Sequence, residues 1–164
     1  MYIVESILSG LWATLIMDLF ARFLAARKLL FPFMTSEELG RWFIYLLKGK
    51  ISHRDISKTP PVRNEKIWFF VSHYLIGIIL AAFYLLLASV VNEIGENAWM
   101  ALVFGILTVL LPWFWLLPGT GLGIMAKKSS VRMKILRTNL INHTNFGIGL
   151  FSWYILFHNL FLNI

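Results

Sequence analysis

The chain has 164 residues, of which 59% are hydrophobic and only 14% charged; 15 Lys and Arg against 8 Asp and Glu give a formal charge of +7, and the mean hydropathy is +0.73. A soluble domain carries about 25% charged residues and cannot hide so large an apolar excess in a small core, which excludes a soluble enzyme, a disordered tail and a secreted disulfide scaffold. Cysteine is absent, which removes disulfides, thiolate metal sites and a Cys nucleophile. The composition predicts an all-α polytopic membrane protein, a single integral membrane domain over residues 1–164.

In chain order, a hydrocarbon core of about 30 Å asks for roughly 20 apolar residues per helix. Four stretches meet this, over 3–25, 67–91, 98–117 and 140–162. None alternates as barrel strands do, so all four are read as transmembrane helices. The start Met1-Tyr2-Ile3-Val4-Glu5 has neither a basic leader nor a cleavage site after it, so the first helix is expected to be retained. Between the first two spans, Thr35-Ser36-Glu37-Glu38 matches a capping box. Leu39, Trp42, Phe43, Leu46 and Leu47 follow at helical spacing, opposite Glu38, Arg41, Tyr45 and Lys48, and Gly49 is a stop signal. This predicts an amphipathic helix in the membrane interface, within the first cytoplasmic loop. In the third span Pro112 and Pro118 flank Trp113–Leu117 and should break the helix. Gly119-Thr120-Gly121-Leu122-Gly123 follows. It lacks the Gly-Lys-Ser/Thr of a phosphate loop, and the spacing of Gly119 and Gly123 predicts close helix packing.

Charge sets the orientation. Nine of the fifteen basic residues lie between Arg27 and Lys66, five between Lys127 and Arg137, and the remaining one is Arg22. The turn over 92–97 carries only Glu93 and Glu96. The positive-inside rule then places the first and third loops in the cytoplasm and both termini outside. Anionic lipid headgroups are the expected partner of these loops, with Arg41 and Arg54 as candidate headgroup contacts. Nucleic acid is not expected, because the basic residues are juxtamembrane and split between two loops.

An internal repeat, His-x-x-x-Gly-Ile-x-Leu, starts at His73 and at His143. With about 1.5 Å of rise per residue, His73, His143 and Asp18 fall at similar depths, roughly 5–9 Å from the inner edge. Ionisable groups at such depths usually face one another or a cavity, so Asp18, His73 and His143 form a candidate polar site at the cytoplasmic leaflet, with His53 and Asp55 able to fold in from the loop. The bland reading of the same residues is that Asp18 neutralises Arg22 four positions on and that the histidines bond carbonyls. Trp68 and Trp99 read as interface anchors, Trp12 and Trp153 as packing residues. His158 has no evident partner and reads as interfacial.

Four functions suit this pattern. An accessory membrane protein is the simplest. A haem or divalent-metal protein would use His73 and His143, with Gly77 and Gly147 leaving room for a macrocycle and Asp18 as a further metal ligand. A small transporter of four spans would need to act as a homodimer. An enzyme on a lipid-like or quinone-like substrate would use Asp18 or a histidine as acid–base. No hydrolase motif supports a particular reaction.

Met17-Asp18-Leu19, Gly40-Arg41-Trp42, His53-Arg54-Asp55, Pro60-Pro61, His73-Tyr74 with Gly77, Leu117-Pro118-Gly119 with Gly121 and Gly123, and His143 with Gly147 resemble the bacterial membrane family called domain of unknown function 2938. The resemblance covers almost the whole chain. It implies a small four-span inner-membrane protein and supplies no activity or catalytic role.

Overall fold

The computed structural model describes residues 2–95 and 97–162. Among them every regular element is helical and no strand occurs: α1 (Tyr2–Ala26), α2 (Ser36–Leu47), α3 (Glu65–Val90), α4 (Asn92–Gly95), α5 (Trp99–Leu107), α6 (Leu117–Thr120), α7 (Arg132–Trp153) and α8 (Asn159–Leu162). Among the described residues three stretches are long and apolar enough to cross a membrane: α1, α3 and Trp99–Thr120. The last contains the proline break. Pro112 has no amide hydrogen to give, and the chain passes through a π-helical turn, Pro112–Leu116, before α6. The expected fourth stretch, over 140–162, falls on α7, a second π-helical turn (Tyr154–His158) and α8. It is not one of the three. α7 begins among Arg132, Lys134 and Arg137 and carries Asn139, Asn142, His143 and Asn145 before its apolar end.

The chain divides into two compact units. The first takes in Met1–Leu29, Tyr74–Thr108 and Leu140–Ile164. Its core is Ala13, Ala81, Tyr84, Leu85, Ala101, Phe146 and Leu150. Small residues let the helix backbones meet: Gly10 lies on the backbone of Gly77 and Ile78, Gly149 on Ala13, and Gly105 on Gly147. A Cβ on Gly77 would overlap the Thr14 hydroxyl, and one on Gly147 would collide with the Leu102 carbonyl. This corrects the expectation that Gly77 and Gly147 leave room for a macrocycle. Their missing side chains seat neighbouring helices.

The second unit takes in Leu30–His73 and Val109–Asn139, with a core of Leu117, Ala126, Ile135 and Leu136 flanked by Phe31, Phe33, Trp113 and Leu122. The capping box is formed as the sequence predicts. The Glu38 amide donates to Thr35 Oγ1, and the Thr35 amide donates to Glu38 Oε2. The helix stops at Gly49, whose φ of +82° suits glycine. Its buried side is not the expected stripe, however. Gly40 and Trp42 are buried while Leu47 is exposed, because α2 docks on protein: Gly40 abuts the Glu65 carbonyl, and Trp42 packs edge-on against Trp115, 5.7 Å between centroids. The glycine string also differs from the expected helix packing. Gly119 sits under Trp42 and the Ile51 carbonyl, Gly121 (φ +101°) under the Arg54 backbone, and Gly123 adopts φ +76° in a turn. The string is a seat for the loop before α3.

Candidate functional site

That loop, residues 50–60, is held from both sides. Its amide at His53 donates to the Gly119 carbonyl, 2.8 Å. On its other side lies the Arg41–Glu65 pair. Arg41 Nε and Nη2 donate to the two carboxylate oxygens of Glu65 at 2.7 and 3.0 Å, while Nη1 reaches the carbonyls of Ile56 (3.1 Å) and Thr59 (2.9 Å). The two side chains are only 11% and 9% exposed. Arg41 is thus engaged inside the unit, where its bidentate fork ties α2, the loop and the start of α3 together; Glu65 raises the guanidinium pKa further.

Within the loop, Asp55 caps a 3-10 turn, Ile56–Lys58, by accepting from the Ser57 amide (3.0 Å) and hydroxyl (2.7 Å). The Ser57 hydroxyl is the main reason that the Asp55 carboxyl lies below its ordinary range. His53 is buried, with Nδ1 3.0 Å from Thr59 Oγ1. The Thr59 hydroxyl donates to the Asp55 carbonyl, 3.1 Å, so its oxygen accepts from Nδ1–H and the ring keeps that tautomer. Nε2 is a buried acceptor without a partner. Burial, and then the Lys50 charge, lower the His53 pKa below its ordinary 6.5, so the imidazole is neutral at neutral pH. Lys50, His53, Arg54, Asp55, Lys58 and Thr59 line an open basin of about 740 Å³. Three cations face one carboxylate there.

The candidates placed at membrane depth lie as follows. In the first unit Asp18 accepts a hydrogen bond from Tyr74 Oη, 3.2 Å. Also in that unit, His143 Nδ1 is 2.7 Å from Thr108 Oγ1, whose own hydrogen goes to the Gly105 carbonyl. His73 belongs to the second unit and stacks on Phe69 at 5.2 Å. Among the described residues no group of three or more His, Asp or Glu side chains is placed to hold a metal ion. Asp18, His73 and His143 are thus not gathered as a ligand set for a divalent metal.

One buried pair lies outside the candidates that the sequence offers. His158 is not an unpartnered interfacial side chain: its Nδ1 is 2.6 Å from Glu5 Oε1, with both groups buried. The π-helical turn Tyr154–His158 carries the imidazole, and Tyr154 stacks on it at 4.2 Å. The signal was present in the depth arithmetic. Glu5 lies at the start of the first expected apolar stretch and His158 near the end of the last, which the expected topology would put at one level.

A helical chain with three helices long and apolar enough to cross a membrane has the class of an integral membrane protein by length and composition. A family model described as protein of unknown function (DUF2938) matches residues 7–156, and the chain belongs to that family. Comparison with curated proteins and with solved structures found no match.

Proposed function

We propose that the protein is an accessory protein of the bacterial inner membrane with four spans, in which a folded first loop receives the phosphate groups of anionic lipids on the cytoplasmic side. The fourth span is residues 140–162, where the helix that begins at Arg132 runs on through the π-helical turn to Leu162. Fourteen of the fifteen basic residues lie in the first and third loops, which supports a cytoplasmic position for both. Asp18 with Tyr74 and His143 with Thr108 are then half-buried polar positions toward the inner leaflet, each meeting a hydroxyl.

The observation that carries the reading is the division of labour among the loop cations. Arg41 is engaged by Glu65 and loop carbonyls, whereas Lys50, Arg54 and Lys58 surround an open basin whose one lining acid, Asp55, meets Lys58 at 3.4 Å and leaves two cations in excess. A cation near an anionic membrane surface gains about 1 kcal/mol. A net excess of two would enrich anionic lipid by about 2 kcal/mol, roughly thirtyfold. The test is native mass spectrometry of lipids retained by protein from nanodiscs of mixed phosphatidylglycerol and phosphatidylcholine. The parent should retain phosphatidylglycerol, and a K50Q/R54Q/K58Q variant should lose most of that preference. Equal retention of both lipids by the parent rejects the reading. Reporter fusions at Asn97 and Ser130 should fall in opposite compartments, with Ser130 inside; a cytoplasmic signal at Asn97 rejects the topology.

A further inference from the structure

The first unit holds an acid–base pair that the lipid-facing loop does not use. Glu5 lies in the first turn of α1, and His158 lies in the last turns of the C-terminal helix. Their side chains are 2% and 11% exposed and meet at 2.6 Å. No Lys or Arg occurs in residues 2–21, 67–126 or 138–162, so among the described side chains of the first unit that lie near Glu5 in these stretches His158 is the group that can carry a positive charge to it. A lone buried carboxylate is strongly disfavoured, whereas a carboxylate facing an imidazolium is neutral as a pair. Three features favour the charge-separated form. The N-terminal end of α1 favours an anion, and the C-terminal end of the last helix favours a cation. The Tyr154 ring, 4.2 Å away and nearly parallel, offers its face to an imidazolium.

We propose that Glu5 and His158 form a proton-binding site that holds one hydrogen ion as an imidazolium–carboxylate couple and thereby clasps the start of α1 to the end of the C-terminal helix. Release is balanced without a co-reactant. The proton leaves Nε2 for water, Nδ1–H stays on the carboxylate, and the site passes from neutral to one negative charge. That charge is buried and has lost its imidazolium partner, so the clasp weakens as the proton leaves. Of the described titratable side chains, Tyr154 stacks on His158 and donates its hydroxyl to the Gly95 carbonyl, Tyr84 lies beyond it at 6.4 Å between ring centroids, and Tyr2 lies three residues before Glu5 on α1. From α1 the neighbours are the hydroxyls of Ser6 and Ser9, which bond carbonyls of their own helix.

The test is nitrogen NMR of the full chain in lipid nanodiscs with ¹⁵N-labelled histidine, the His158 signals being assigned by their loss in H158Q. Both ring nitrogens of His158 should be protonated at pH 7 in the parent, and one should be bare in E5Q. A neutral His158 in the parent at pH 7, or an unchanged state in E5Q, overturns the proposal. Should E5Q not fold, the parent decides alone. The His158 nitrogen shifts and the Glu5 carboxyl shift must move in shared steps, and independent movement, or none between pH 4 and 10, overturns it equally.

Discussion

Arg41 and Glu65 show how much one pair of side chains can organise. Two parallel hydrogen bonds neutralise both charges, and the remaining guanidinium nitrogen satisfies carbonyls that the 56–59 turn would otherwise leave buried. Removing one member of such a buried pair strands the other, at about 3–5 kcal/mol. Glu65→Ala should therefore lower stability in mixed-micelle unfolding by that order. Arg41→Lys in the parent should lower it as well, because an ammonium cannot bridge both oxygens and the loop; full stability in Arg41→Lys would refute the bidentate account. His53 adds a pH dependence with a defined sign. Burial and Lys50 lower its pKa in the folded chain, so the unfolded chain binds the proton more readily. The stability is then complete above the ordinary value of 6.5 and falls as pH drops below it toward the folded value. Thermal unfolding followed by tryptophan fluorescence should show the midpoint decline below pH 6.5, and His53→Asn should flatten that limb.

At the scale of elements, local sequence signals and packing act on different parts of the same helix. The ends of α2 are written locally. Thr35 and Glu38 close the capping box and Gly49 ends the helix, so Thr35→Ala should cost about 1 kcal/mol and reduce helix content near residues 36–40 in hydrogen exchange. Its buried side is written elsewhere, by the Glu65 carbonyl under Gly40 and by Trp115 beside Trp42. The glycine contacts between α5 and α7 carry a similar dependence. A Cβ on Gly105 would meet the Gly147 backbone, and backbone cannot yield as a flexible side chain can. Gly105→Ala should destabilise the first unit and lower its thermal midpoint, while Gly49→Ala, with open space around it, should act only through its positive φ and cost less. An equal loss in both variants would contradict the packing explanation.

For the whole molecule, each of the two units carries chemistry-bearing residues of its own. The first unit holds Asp18 with Tyr74, His143 with Thr108, and Glu5 with His158. The second holds the Arg41–Glu65 pair and the basin around His53. The lipid preference and the proton-binding pair are therefore expected to respond independently. E5Q should leave phosphatidylglycerol retention unchanged, and K50Q/R54Q/K58Q should leave the His158 nitrogen shifts unchanged. Coupling in either direction would show that the units do not act separately.

The all-helical class, three of the four expected apolar stretches, the ends of α2 and the family were determined by the sequence, because each rests on composition, periodicity or contacts within a few residues. Tertiary structure decided which polar side chains meet. Glu5 and His158 are 153 residues apart, and Arg41 and Glu65 are 24 apart. Hydropathy places such residues at a depth or in a loop, but it does not specify the rotation of a helix about its axis, which brings a side chain to a partner. The same rotation turned Gly77 and Gly147 into contact surfaces for neighbouring backbone, where the apolar pattern alone had left their faces open.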